Sequence, residues 1–291
     1  MSPLPSAPIT RSASEGVLRL VFGLFLALIA LALAVAPQPQ WFSLVTVIAM
    51  LLGAREWHRL VRSPAQHQSA DLRPIHVQTI VTGVAVAVAV LALMLQAFVV
   101  ALALVIAGAL VAFVLARRYD DNALWHGFGV LYLGLPALAL VGLRIYPTPA
   151  QGSWLVVGLF LIVWATDTGA LVFGKLIGGK KLWPAVSPGK TWAGTIGGTC
   201  AAMAVYAVLA ALLSLRPGPS LVFALGMSIV AHLGDLFESW IKRRFGTKDS
   251  GGLIPGHGGI MDRMDSMYAA SVVLAILVFG LHVNPMFGGH A

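Results

Sequence analysis

Residues Gly234–Ser266 read GDLFESWIKRRFGTKDSGGLIPGHGGIMDRMDS, and they separate two apolar runs, Leu221–Leu233 and Met267–Leu281. The stretch holds five acidic residues, five basic residues, one histidine and seven glycines, whereas only 10% of the whole chain is charged. Polar residues concentrated between two apolar segments are typical of a functional site at the ends of two consecutive membrane helices. The stretch therefore predicts a helical membrane protein with a polar site.

The composition of the 291-residue chain supports this prediction. Hydrophobic residues make up 58% of it and its mean hydropathy is +0.88, whereas soluble domains are about 45–50% apolar. Apolar runs near the length of a bilayer span recur along the chain. They cover residues 17–36, 41–58, 76–95, 97–116, 123–143, 153–177, 192–214, 219–241 and 266–283. We expect an all-α, polytopic membrane bundle of about nine transmembrane helices.

The basic residues predict the orientation of this bundle. With the N-terminus in the cytoplasm, 17 of the 19 lysines and arginines lie at cytoplasmic helix ends, and Arg144 and Arg216 lie outside. Nine spans then place the C-terminus outside. The chain divides into a flexible cytoplasmic N-terminus (1–16), N-terminal transmembrane helices (17–116) and a catalytic transmembrane region with a cytoplasm-facing site (117–291).

The net charge of +8 has two interpretations. It is the ordinary cytoplasmic bias of membrane proteins, or it also serves an anionic partner such as a lipid head group or a nucleotide. Nucleic acid is not expected as a partner, because the basic residues are spread over short loops. Cys200 is the only cysteine, so an intrachain disulfide is excluded.

The polar residues of Gly234–Ser266 fall on two helix faces. The first face has spacing i, i+3, i+4, i+7 and comprises Asp235, Glu238, Ser239 and Lys242; the second comprises Asp262, Asp265 and Ser266. Between them, residues 246–259 hold six glycines around His257, so the backbone can approach a ligand closely. Carboxylate clusters of this kind select Mg²⁺ together with substrate phosphates. The alternative is a network of salt bridges at a membrane surface.

Two further segments contain candidate site residues. Asp167 interrupts an apolar run. Its carboxylate either faces a cavity or is bonded to the hydroxyl of Thr166 or Thr168. Ser187-Pro188-Gly189 predicts a turn, after which Thr191 caps a helix and Lys190 lies at its N-terminus, where an anion is favoured. The alternative for this second segment is a turn followed by a glycine-rich packing helix.

These motifs resemble the signature of the phosphatidate cytidylyltransferases, also called CDP-diacylglycerol synthases. The strongest part is Ser239-x-x-Lys242-Arg243, Lys248-Asp249 and Pro255-Gly256-His257-Gly258-Gly259-x-x-Asp262-Arg263-x-Asp265-Ser266. Asp167-Thr168-Gly169-Ala170 and Ser187-Pro188-x-Lys190-Thr191-Trp192 fit the same family. The resemblance is close over about residues 125–283.

The resemblance implies that CTP and phosphatidate react to give CDP-diacylglycerol and pyrophosphate, with Mg²⁺ and in contact with membrane lipids. It implies a metal, or two metals, at Asp235, Asp262 and Asp265; a second metal or a monovalent ion, and a homodimer, are further possibilities that the sequence leaves open. The expected phosphate contacts are Lys190, Lys242, Arg243, Lys248 and Arg263, and the residues expected to orient substrate or metal are Asp167, Asp249, Ser187 and Ser239. His257 is expected to contact a phosphate or the metal shell rather than act as a general base. The active site would face the cytoplasm, at the inner membrane if the protein is bacterial.

Three other functions stay open. A CTP-dependent polyprenol or phytol kinase would transfer the γ-phosphate instead. An ion-coupled transporter would also place acidic residues in the membrane, although here they are concentrated on one side. The third is a family member that acts as a scaffold or on another phospholipid.

Overall fold

The computed structural model describes residues 13–146, 148–252, 258–284 and 289–290. Its helices are α1 (Ala13–Val35), α2 (Pro39–Leu60), α3 (Pro64–Gln68), α4 (Arg73–Met94), α5 (Phe98–Arg118), α6 (Ala123–Ile145), α7 (Pro149–Leu176), α8 (Trp192–Leu212), α9 (Pro217–Arg244) and α10 (Met261–Ala275), which continues as a π-helical turn (Ile276–Gly280). Each predicted apolar run thus coincides with a long helix. The all-α fold class is confirmed.

Seven of these helices are long and apolar enough to cross a membrane, counted over the described residues. They are α4, α5, α6, α7, α8, α9, and α10 with its π-helical turn. Helices α1 and α2 are not among the seven. The apolar segment counted in α1 covers residues 23–35 only. Helix α2 ends in the charged sequence Arg55-Glu56-Trp57-His58-Arg59. The chain is therefore a polytopic helical membrane protein, and the predicted count of nine spans is not confirmed.

Several helices begin where the sequence provides a start signal. Proline is the first residue of α2, α3, α7 and α9, where its missing N–H costs no hydrogen bond. Thr191 is the N-cap of α8, and its hydroxyl accepts a hydrogen bond of 3.0 Å from the N–H of Gly194, as expected.

Helix α6 lies at the centre and packs against α2, α4, α5, α7 and α10. The wholly buried Trp57 of α2 donates its indole N–H to the Trp125 carbonyl, at 2.9 Å, and its ring occupies the space that a side chain at Gly129 would need. Gly194 and Gly198 likewise bring α8 against the backbone of α7, because a Cβ at either position would overlap a carbonyl oxygen of α7.

One small sheet between α7 and α8 was not expected. Strand β1 (Lys181–Trp183) pairs antiparallel with β2 (Ser187–Thr191). The prediction of a turn at Ser187-Pro188-Gly189 is wrong, because these residues begin β2. A second short pair joins β3 (Val283–Asn284) to β4 (Gly289–His290).

Candidate active site

The polar residues of α9 and α10 meet where α9 ends and α10 begins. Lys242 of α9 joins the two helices: its Nζ lies 2.7 Å from Asp262 Oδ1 and 3.3 Å from Glu238 Oε1. Glu238 is wholly buried, and its second oxygen accepts a hydrogen bond of 3.3 Å from the Tyr132 hydroxyl. The buried ammonium of Lys242 thus has a carboxylate partner on each of the two helices.

A second lysine reaches the same end of the bundle from the hairpin. The Nζ of Lys190, in β2, lies 2.6 Å from Asp235 Oδ2. The Ser239 hydroxyl donates to the other oxygen of Asp235, at 3.3 Å. The hairpin therefore presents its lysine to the carboxylate face of α9, a pairing that the sequence did not predict. The prediction that Lys190 contacts a phosphate stays a prediction.

Asp262 organises the loop that precedes α10. Its carboxylate accepts backbone N–H groups from Ser250, at 3.1 Å, and from Gly259, at 2.9 Å. Gly258 has a φ of +83°, a conformation that favours glycine. Ser250 and Gly259 thus meet at one carboxylate at the N-terminus of a helix, where a negative charge is stabilised.

Ser266 connects the carboxylates of Asp265 and Asp167. Ser266 donates its hydroxyl to Asp167 Oδ1 at 3.1 Å, and its N–H to Asp265 Oδ1 at 2.7 Å. The sequence analysis considered the hydroxyls of Thr166 and Thr168 as partners of Asp167. The Thr166 hydroxyl instead donates to Ser228, at 2.9 Å. Asp265 lies within electrostatic reach of Asp167, Asp235 and Glu238. We call Asp167, Asp235, Glu238, Asp262 and Asp265, with Lys190 and Lys242, the acidic cluster.

The remaining predicted residues surround this cluster less tightly. Arg243 donates from Nε to the Val186 carbonyl, at 3.3 Å, and from Nη1 to the Thr247 carbonyl, at 3.2 Å, so it attaches the hairpin to the end of α9. Ser187 is half-buried in β2. Lys248, Asp249 and Arg263 are exposed. His257 lies outside the described residues.

The sequence analysis missed Glu56 as a site residue. This side chain of α2 is 4% exposed and accepts hydrogen bonds from the Ser250 hydroxyl, at 3.1 Å, and from the N–H groups of Ile260 and Met261, both at 3.0 Å. A Cβ at Gly251 or Gly259 would collide with its carboxylate. We call the glycine-rich residues 246–259 the signature loop. Glu56 thus binds this loop and the residues directly after it, about 200 residues away in sequence.

The donor chemistry of the acidic cluster fits magnesium. Five carboxylates face two lysines, so with all groups ionised the cluster is negatively charged and offers only oxygen ligands. Among the described residues, however, there is no group of three acidic, histidine or cysteine side chains arranged to hold a metal. The metal predicted at Asp235, Asp262 and Asp265 stays a prediction.

Comparison with known proteins agrees with the signature. Residues 17–281 match the model of the cytidylyltransferase family. A phosphatidate cytidylyltransferase of Brucella suis is 44% identical over 164 residues, which cover 56% of this chain and 60% of that protein. One of Staphylococcus saprophyticus is 42% identical over 149 residues, covering 50% of this chain and 57% of that protein. The alignments therefore span less than two thirds of these relatives. Because the family match covers most of the chain, this protein belongs to the cytidylyltransferase family.

Proposed function

We propose that this integral membrane protein transfers the cytidylyl group of CTP to phosphatidate, giving CDP-diacylglycerol and pyrophosphate for phospholipid synthesis. The observation that supports this most is the acidic cluster, in which buried lysines and an excess of carboxylates meet at one end of a membrane bundle. The names of the relatives from Brucella and Staphylococcus supply the substrates.

The reaction needs little help from a base. An oxygen of the phosphatidate phosphate attacks the α-phosphorus of CTP; the new P–O bond forms as the bond to the β-phosphate breaks, and pyrophosphate leaves. A phosphomonoester has a second pKa near 6, so the nucleophile is already ionised at neutral pH. The main barrier is the approach of two polyanions, which positioning and charge neutralisation lower.

The residues of the cluster divide this work. Asp235, Asp262 and Asp265 would hold Mg²⁺, which proteins commonly bind through one or two carboxylates plus substrate phosphates. This explains how a site without a complete ligand set of its own can be a metal site. When bound, the ion neutralises phosphate charge and activates the α-phosphorus. Lys190 and Lys242 already pair with carboxylates and would exchange these partners for phosphate oxygens.

The outer residues take the remaining roles. Arg243, Lys248 and Arg263 would bind the phosphates of CTP and the leaving pyrophosphate, because arginine and lysine both donate several hydrogen bonds to phosphate oxygens. Asp167, Asp249, Ser187 and Ser239 would orient substrate or metal. His257 would contact a phosphate or the metal shell. CTP, phosphatidate and membrane lipids are the proposed partners; nucleic acid is not, and a homodimer stays open.

The proposed site faces the cytoplasm. Its support is the distribution of the basic residues, 17 of 19 on one side when the N-terminus is cytoplasmic. With nine spans the C-terminus lies outside. The cluster is formed at the C-terminal end of α9, the N-terminal end of α10 and the hairpin after α7, which share one end of the bundle in this topology.

The test is transfer of label by the purified protein in detergent with phosphatidate and Mg²⁺. CTP is labelled at the α-phosphate in one sample and at the γ-phosphate in another. Label from the α-phosphate in the lipid and γ-label in pyrophosphate are expected. Label from the γ-phosphate in the lipid would indicate a lipid kinase instead, and no label in the lipid from a folded protein would refute both functions.

A further inference from the structure

A carboxylate of the acidic cluster borders a second, apolar environment. Asp265 is the one charged side chain that lines a cleft of about 530 Å³ between α6, α9 and α10. The walls of this cleft come from residues such as Tyr132, Phe237, Ala269 and Val272. The walls of the cleft are almost wholly apolar, and Asp265 is the lining residue that also belongs to the acidic cluster.

The cleft continues along α10 away from the cluster. Leu135 and Val272 also line a second cavity of about 610 Å³, which ends at Tyr146 and His282 beside the π-helical turn. From Asp265 to Phe279 the two cavities follow 14 residues, about 20 Å at the rise of a helix. This exceeds the half-thickness of about 15 Å of a bilayer's hydrocarbon core. We call these two neighbouring cavities, which share Leu135 and Val272 as lining residues, the α6–α10 groove.

The α6–α10 groove is open to the side. Leu233 at its α9 edge and Ile276 at its α10 edge are 58% and 54% exposed. In a helix that crosses a membrane, such side chains face lipid. A molecule dissolved in the bilayer therefore reaches the groove without passing through water.

We propose that the α6–α10 groove holds an acyl chain of the lipid substrate, with the phosphate at the lysines of the acidic cluster. This proposal rests on the proposed function and assigns the lipid's place in it. Two features select an amphiphile with a long tail: apolar walls over about 20 Å, and charged groups at one end only. An irregular peptide segment fits poorly, because its N–H and C=O groups would lack partners along these walls.

The first experiment maps the groove directly. Phosphatidate with a photoreactive diazirine in its acyl chain is irradiated with the wild-type protein in nanodiscs, and the labelled peptides are identified. Labelling of α6 near Leu135 and of α10 near Val272 is expected, with loss of that label when excess phosphatidate, but not phosphatidylcholine, is added. Label that is confined to other helix faces, or that both lipids displace equally, would overturn the proposal; this includes a groove covered by a second copy.

The second experiment narrows the groove where its two halves join. Val272→Trp, and independently Leu135→Trp on the opposite wall, are compared with Ile229→Trp, which adds the same ring to an exposed position of α9 outside both cavities. Each groove variant should raise KM for dioleoyl phosphatidate about tenfold, since it displaces a few methylene groups. For dihexanoyl phosphatidate, KM should change less than about twofold, because a short chain ends before Val272.

The two outcomes separate this proposal from the proposed function. Wild-type protein that transfers no cytidylyl group would refute the function, while the photolabelling still tests the groove. An active wild type with equal KM changes for long and short chains in the groove variants would refute the groove and leave the function standing.

Discussion

Two polar clusters occupy helix ends in this protein, and they differ in their ratio of acidic to basic groups. The histidine cluster joins α2, α4 and α6: His58 Nδ1 lies 2.8 Å from His126 Nδ1, and His58 Nε2 lies 2.8 Å from the Thr82 hydroxyl. His126 Nε2 in turn lies 3.1 Å from Asp121 Oδ2. Here one carboxylate contacts one of two paired imidazoles, whereas in the acidic cluster five carboxylates share two lysines.

This difference indicates separate roles for the two clusters. In the histidine cluster each charged group has a matching partner, which is how a buried network stabilises a fold. The acidic cluster has more carboxylates than lysines, and an excess of ionised carboxylates is costly unless a cation or a ligand joins it. The ratio of acidic to basic groups therefore separates the packing network from the proposed reaction site, although both lie at helix ends.

The largest expected effect comes from Asp262→Asn. Asparagine retains an oxygen that can accept from Ser250 and Gly259, but it removes the charge that faces Lys242 and the proposed metal. Turnover should fall at least about 1,000-fold, the scale on which a single electrostatic contribution acts in active sites. Cytidylyl transfer and the melting temperature measure the two consequences. Near-normal activity in a folded variant would contradict the assignment.

An intermediate effect is expected for Glu56→Ala, which removes the acceptor of three hydrogen bonds in and directly after the signature loop. The free energy of unfolding should fall by about 1–3 kcal/mol, because buried donors lose their partner. Because the N–H groups of Ser250 and Gly259 in this loop position the Asp262 carboxylate, kcat should fall as well, and Glu56→Gln should restore part of it. Arg55→Ala, at an exposed neighbour on the same helix, is the control. Unchanged kcat in Glu56→Ala would show that the loop does not depend on α2.

The smallest effect on activity is expected for Asp121→Asn in the histidine cluster. Burial alone would raise the pKa of the Asp121 carboxyl, but His126 and the N–H groups of Ser63 and Asn122 outweigh burial and lower the pKa below its usual 3.8. The variant should lose about 1–3 kcal/mol of stability at neutral pH, the value of hydrogen bonds to a charged group. Its kcat per folded molecule should stay near that of the wild type.

The depressed pKa also fixes the pH dependence of this effect. Asp121 binds its proton more weakly in the folded state, so its stabilisation is complete above the unfolded pKa of about 3.8 and is lost as the pH falls through the lower folded pKa. The stability difference between wild type and Asp121→Asn should therefore be constant from neutral pH to about 5 and shrink below 3.8. Thermal melts across this range measure it; a difference that grows on acidification would contradict the assignment.

The sequence predicted the helices better than their connections. Apolar runs specify membrane helices locally, so all nine runs coincide with long helices. The β1–β2 hairpin was missed because Ser187-Pro188-Gly189 has the local chemistry of a turn, and its strand pairing depends on Lys181–Trp183. The charged end of α2 explains why that helix is not counted among the seven candidate membrane spans.

Within the site, helix periodicity predicted which residues share a face but not their partners. Asp235, Glu238 and Lys242 do share one face of α9, yet the spacing could not show that Lys190 would pair with Asp235. Glu56 gave no signal beyond its place in a charged helix end, because its partners lie about 200 residues away. Such contacts depend on tertiary packing, which a single sequence does not display.

The most direct test of the central claim combines the two clusters in one assay. Transfer of α-labelled and γ-labelled CTP to phosphatidate is measured for the wild type, Asp262→Asn and Asp121→Asn, each normalised to folded protein. The account predicts α-label in the lipid for the wild type and Asp121→Asn, and almost none for Asp262→Asn. Label from the γ-phosphate in the lipid, or equal transfer by the two variants, would contradict it.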